Sequence, residues 1–158
     1  MEKKVIINLL YLTAKPYLPA AFLLLMCLVV PKAYFGKAEP WYGALLYHFT
    51  HANIFHFLGN ALVIVRFKPR WVNVPVAYLS ASAAAIYPFS AMSVPTCGIS
   101  GMIFAMLARR DALLRLKPWR MLLLNSALAF IPAYNWKIHL FSYTISYIIW
   151  RIVSHITK

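Results

Sequence analysis

The chain has 158 residues, of which 63% are hydrophobic and only 12% charged, with a formal net charge of +13. A soluble domain is nearer half apolar and a quarter charged, so this composition excludes an ordinary water-soluble globule of this size and points to a polytopic membrane protein. The cations lie in clusters between apolar runs and do not alternate with aromatics along one face, which argues against nucleic acid as a partner.

The start, "MEKKVIINLLYLTAKPYLPA", has a basic head but no short apolar core leading to a small-residue cleavage site, so it is expected to be a retained cytoplasmic end. Six apolar runs follow, each a candidate span at about 20 residues or somewhat fewer. They cover about Pro16 to Tyr34, Tyr42 to Val65, Val72 to Ser90, Ser100 to Ala108, Met121 to Tyr134 and Ile138 to Val153. The fourth and sixth are short. Cys27 and Cys97 are far apart and set no disulfide framework.

The cations sort by side. Lys3, Lys4 and Lys15 precede the first run, and Arg66, Lys68 and Arg70 follow the second. Arg109, Arg110, Arg115, Lys117 and Arg120 follow the fourth, and Arg151 and Lys158 follow the sixth. Only Lys32, Lys37 and Lys137 remain for the other side. Cytoplasmic loops carry the excess of Lys and Arg, so both termini are expected in the cytoplasm, with the chain in the cell (inner) membrane. The expected fold is an all-α six-helix bundle forming one membrane domain over 1–158, with no extra soluble domain.

Several polar residues interrupt the apolar runs. His51, His56 and Asn60 lie in the second, Ser100 opens the fourth and His139 opens the sixth. Ionisable groups at membrane depth are costly and usually functional. At 1.5 Å per residue, Ser100 stands about 14 Å above Arg109, His56 about 15 Å above Arg66 and His139 about 18 Å above Arg151, which places them in one layer. His56 and Asn60 are four apart and share a helix face. His51, five residues before His56, is expected to point elsewhere.

The segment "TCGISGMIF" holds a G-x-S-G pattern, Gly98-Ile99-Ser100-Gly101. Gly98 can turn the chain sharply, and Gly101 lets a neighbouring helix come close. Ser100 then falls where a loop becomes a helix, and the amides there favour developing negative charge. Alone, the pattern is equally that of a helix start followed by a packing glycine.

Together, "EPWYGALLYHFTHANIFHFLGN", "GISGMIF" and "IHLFSYTIS" resemble the rhomboid family of intramembrane serine proteases, in order and over nearly the whole chain. That family carries H-x4-H-x3-N on its second helix, G-x-S-G at the start of the fourth and a catalytic histidine on the sixth. The resemblance implies that Ser100 is the nucleophile and His139 its general base, with His56 and Asn60 helping to form the oxyanion hole. It implies that Phe104 packs on the catalytic histidine and that His51 is structural. Glu39-Pro40-Trp41 is similar to the family's E-x-W-R segment in the first loop. Three positions differ: Tyr42 stands where arginine is common, and Ser142 and Ser146 replace glycines three and seven residues after the histidine.

The chain has three acids, Glu2, Glu39 and Asp111, and none is expected beside His139. A Ser-His dyad without a carboxylate is therefore the expected machinery, with no cofactor and no metal. The expected partners are the lipid bilayer and single-span membrane proteins as substrates. Two other functions compete: an inactive rhomboid-like scaffold that binds transmembrane helices, and a metal site built from His48, His51, His56 and His139. No H-E-x-x-H pattern or carboxylate ligand supports the latter.

Overall fold

The computed structural model describes residues 14–86, 91–93, 95–131 and 134–157. Lys3, Lys4, the final residues of the third apolar run up to Ser90, and Lys158 lie outside the described residues. The described chain is helical, with an isolated antiparallel bridge between Phe35 and Thr96. Seven α-helices follow in order: α1 (Leu18–Val29), α2 (Gly43–Leu46), α3 (Ile54–Phe67), α4 (Asn73–Ile86), α5 (Ser100–Leu113), α6 (Trp119–Leu128) and α7 (Trp136–Ile156). Short 3-10 turns lead into α1 at Lys15–Tyr17 and follow α2 at Tyr47–Phe49.

Helices α4, α5 and α7 form the centre of the bundle, and α5 packs more extensively on α7 than on any other element. Small side chains make this close approach possible. On α4, Ala77, Ser80, Ala81, Ala84 and Ala85 are buried, and on α5 Gly101, Ala105, Ala108 and Ala112 are. The buried stripe of α7 runs His139, Ser142, Tyr143, Ser146 and Trp150, the three-and-four spacing of one helix face. A Cβ on Gly101 would lie 3.1 Å from Ile138 Cγ2 and 3.4 Å from Ser142 Oγ, so the glycine sets the α5–α7 distance at this level. Ser142 and Ser146 are fully buried, and the Ser146 hydroxyl donates to the Ala105 carbonyl at 2.7 Å.

The elements depart from the six expected runs in particular ways. The second run is not one helix. It breaks into α2, a 3-10 turn, an extended stretch at Thr50 and then α3. The break is held from outside the run by Ala33, whose amide donates to Thr50 Oγ1 at 2.8 Å, and from within it by Asn53, which caps α3 by accepting from the His56 amide at 2.9 Å. His51 therefore lies in a loop. The fourth run continues past Arg109 and Arg110 to Leu113, and the sixth extends at both ends to 21 residues. The fifth is shorter, ten residues from Trp119 to Leu128.

Among the described residues, no helix is long and apolar enough to cross a membrane. The outer surface is nevertheless strongly apolar. Phe55 is 81% exposed, Leu62 72%, Leu28 73% and Phe130 89%, and Leu122, Leu123 and Leu124 on α6 are exposed as a block.

Candidate active site

Two loops prepare the start of α5. The segment before Ser100 pairs with the first loop, with the Phe35 amide donating to the Thr96 carbonyl at 2.9 Å and the Thr96 amide to the Phe35 carbonyl at 2.7 Å. Next, the Gly98 amide donates to the Tyr47 carbonyl at 2.9 Å. Gly98 then turns with φ +111°, a conformation side chains rarely adopt, and α5 begins two residues later at Ser100. Ser100 is thus the first residue of a helix whose opening amides have no intrahelical partner.

α7 is started by a different device. Asn135 caps it, its side-chain oxygen accepting from the Ile138 amide at 3.3 Å. The amide nitrogen of the same side chain donates to Thr96 Oγ1 at 2.9 Å. One asparagine therefore links the beginning of α7 to the loop that delivers Ser100. His139 falls in the first turn of α7 and is 5% exposed.

The hydroxyl oxygen of Ser100 lies 2.7 Å from Nε2 of His139. With Ser100 donating to Nε2, the imidazole proton resides at Nδ1. That nitrogen has no hydrogen-bond partner among the described residues. Among the described residues no carboxylate serves it: Asp111 accepts from the Tyr143 hydroxyl at 2.7 Å, and Glu39 belongs to the first loop. The ring is held by aromatic contacts instead. Phe104 lies 4.8 Å away between centroids at an interplanar angle of 34°, and Tyr134 lies at 4.4 Å and 30°.

His56 and Asn60 approach from α3. A Cβ on Gly98 would lie 2.6 Å from Cε1 and 2.8 Å from Nε2 of His56, and 3.4 Å from Nδ2 of Asn60. The absent side chain at Gly98 is the space these two groups use. Asn60 Nδ2 is buried and has no hydrogen-bond partner among the described residues, so it has a donor to offer. His56, Asn60, Cys97, Ser100, Tyr134 and His139 all line one cavity of about 410 Å³.

His51 differs from its expected orientation. Because it sits in a loop and not one helical turn above His56, its ring packs edge-on against His56 at 5.1 Å and against Phe57 at 5.3 Å. His48 is fully buried and shares a 3.0 Å hydrogen bond with Ser82 on α4. Among the described residues, no group of three or more His, Cys, Asp or Glu side chains is placed to hold a metal ion. Sequence reasoning passed over Tyr134, Asn135 and Asn53. The two asparagines carry a readable signal, each standing three residues before the amide it caps, whereas nothing in the local sequence marks Tyr134.

No protein-family model, no curated protein and no solved structure matches the chain.

Proposed function

We propose that this chain is an intramembrane serine protease of the rhomboid type, acting on single-span membrane proteins from within the cell membrane. The observation that carries it is the 2.7 Å contact between Ser100 Oγ and His139 Nε2, made across two helices at the wall of a cavity that His56 and Asn60 also line. His139 takes the Ser100 proton as the hydroxyl attacks the scissile carbonyl, then gives it to the departing amine. The oxyanion meets Asn60 Nδ2, the His56 imidazole and the Ser100 backbone N–H at the start of α5, where the helix dipole favours negative charge. Water entering the cavity hydrolyses the acyl-enzyme, and His139 acts again as base.

Three features support placement in a bilayer with both termini cytoplasmic: the exposed apolar exterior, the segregation of cations to one side and the internal pairing of the irregular segments. Loops at membrane depth are tolerated only where their backbone groups are satisfied inside the protein, as the Phe35–Thr96 and Gly98–Tyr47 bonds do here. α5 has 14 residues, about 21 Å, because its first turn serves the cavity and does not continue outward.

The test is labelling with a fluorophosphonate probe in detergent, comparing wild type, Ser100→Ala and His139→Ala. Labelling is expected in wild type and in neither variant. A folded wild type that stays unlabelled while retaining transmembrane peptides would replace the protease with a helix-binding scaffold.

A further inference from the structure

At the opposite end of α5 from Ser100, a second cavity of about 330 Å³ opens between the C-terminal ends of α3 and α5. Lys68 and Arg70, after α3, and Arg109 and Arg110, on α5, all line it. No acid does, and none of the four cations forms an ion pair among the described residues. Arg109 is fixed, its guanidinium 4.8 Å from the centre of the Trp150 ring, while its buried Nε–H has no hydrogen-bond partner.

Cations at helix C-termini favour the local dipole, but that role does not require four of them around one recess with a buried donor left over. The Lys68 ammonium lies over the Tyr17 ring at 4.5 Å, and the three guanidinium groups without a counter-charge fit a phosphate, which such forks bind in bidentate fashion. The recess also has an apolar continuation. Phe67 and Arg110 are shared with a neighbouring open groove of about 810 Å³ whose other walls include Leu62 and Val63 on the outer face of α3. Leu62 is 72% exposed.

We infer that this recess and groove bind one anionic phospholipid, its phosphate among Arg70, Arg109 and Arg110 and an acyl chain along Leu62 and Val63. This rests on the bilayer placement proposed above. It adds a specific lipid site on the cation-rich side, where basic pockets between helices meet anionic headgroups.

The experiment has two stages. Flotation with pure phosphatidylcholine vesicles reports bilayer insertion by itself. Native mass spectrometry from micelles with equal phosphatidylglycerol and phosphatidylcholine then reports the lipid retained. Wild type is expected to float and to retain phosphatidylglycerol preferentially. Arg70→Gln/Arg110→Gln should lower that preference about thirtyfold and Arg110→Gln alone about fivefold, the latter at an exposed position that keeps the test decisive if the double variant misfolds. Lys117→Gln/Arg120→Gln, which removes as much charge on the same side but outside the recess, should leave the preference unchanged. Failure to float overturns the bilayer placement and the lipid site together. Normal flotation with no phosphatidylglycerol preference, or an equal loss in the Lys117/Arg120 control, overturns the lipid site alone. Displacement of the lipid by millimolar inorganic phosphate would also overturn it, making the recess a site for free phosphate.

Discussion

Ser100 and His139 are 39 residues apart in the chain, yet Oγ and Nε2 meet at 2.7 Å because α5 and α7 both begin beside Thr96. The loop before Ser100 is pinned there by Phe35, and α7 is pinned there through Asn135. The two side chains should therefore act as a unit. Ser100→Ala, His139→Ala and the double variant are each expected to reduce peptide cleavage by at least about 10⁴-fold, with the double no worse than either single. Cleavage of a reporter transmembrane substrate in reconstituted vesicles measures this, and additive losses would show that the pair does not cooperate.

Asn60→Ala and His56→Ala remove the donors proposed to meet the oxyanion and leave the Ser100–His139 contact in place. Each should lower kcat by about 10²–10³-fold with a much smaller change in KM. A rise in KM alone would assign these residues to substrate binding.

Gly98→Ala meets two obstacles at once. The backbone there has φ +111°, and the new Cβ would fall 2.6 Å from the His56 ring. A loss of about 1–3 kcal/mol is expected from the backbone conformation alone, with displacement of His56 added. SDS-titration unfolding in mixed micelles should show a lower midpoint, and reporter cleavage should fall further than stability explains. An unchanged midpoint would mean that the loop can adopt another path.

Phe104 and Tyr134 hold the imidazole with their ring faces, with no carboxylate beside it among the described residues. Phe104→Ala and Tyr134→Ala should each reduce kcat about two- to tenfold, in line with an aromatic contact of about 0.5–1.5 kcal/mol. Tyr134→Phe should be close to wild type because the contact uses the ring. A full loss in Tyr134→Phe would instead assign a role to the hydroxyl.

Ser142 and Ser146 look alike in sequence and differ in environment. Both are fully buried on the α7 face toward α5, but among the described residues only the Ser146 side chain has a hydrogen bond, to Ala105. Ser146→Ala should destabilise by about 1 kcal/mol. Ser142→Ala, which deletes a buried hydroxyl without a partner, should be neutral or stabilising. The same micelle titration orders them, and the opposite order would contradict the α5–α7 packing described.

Composition and the length of the apolar runs were enough to read the chain as all-helical, because a helix satisfies its own backbone polar groups within an apolar segment. Gly101 was legible as a close-packing position, and it does face Ile138 and Ser142 of α7. The order of the polar motifs and the resemblance they carry likewise singled out Ser100, His139, His56, Asn60 and Phe104. Tertiary structure decided where the regular elements stop. The break at Thr50, the loop position of His51 and its contact with His56 depend on an amide donated from Ala33, seventeen residues away. The turn at Gly98 depends on Tyr47 and on the space that His56 occupies, and Tyr134 comes to His139 through the loop before α7. Each is a backbone or ring satisfied by a distant partner. Local periodicity carries no record of such pairings, so the folded chain alone brings these groups to one cavity.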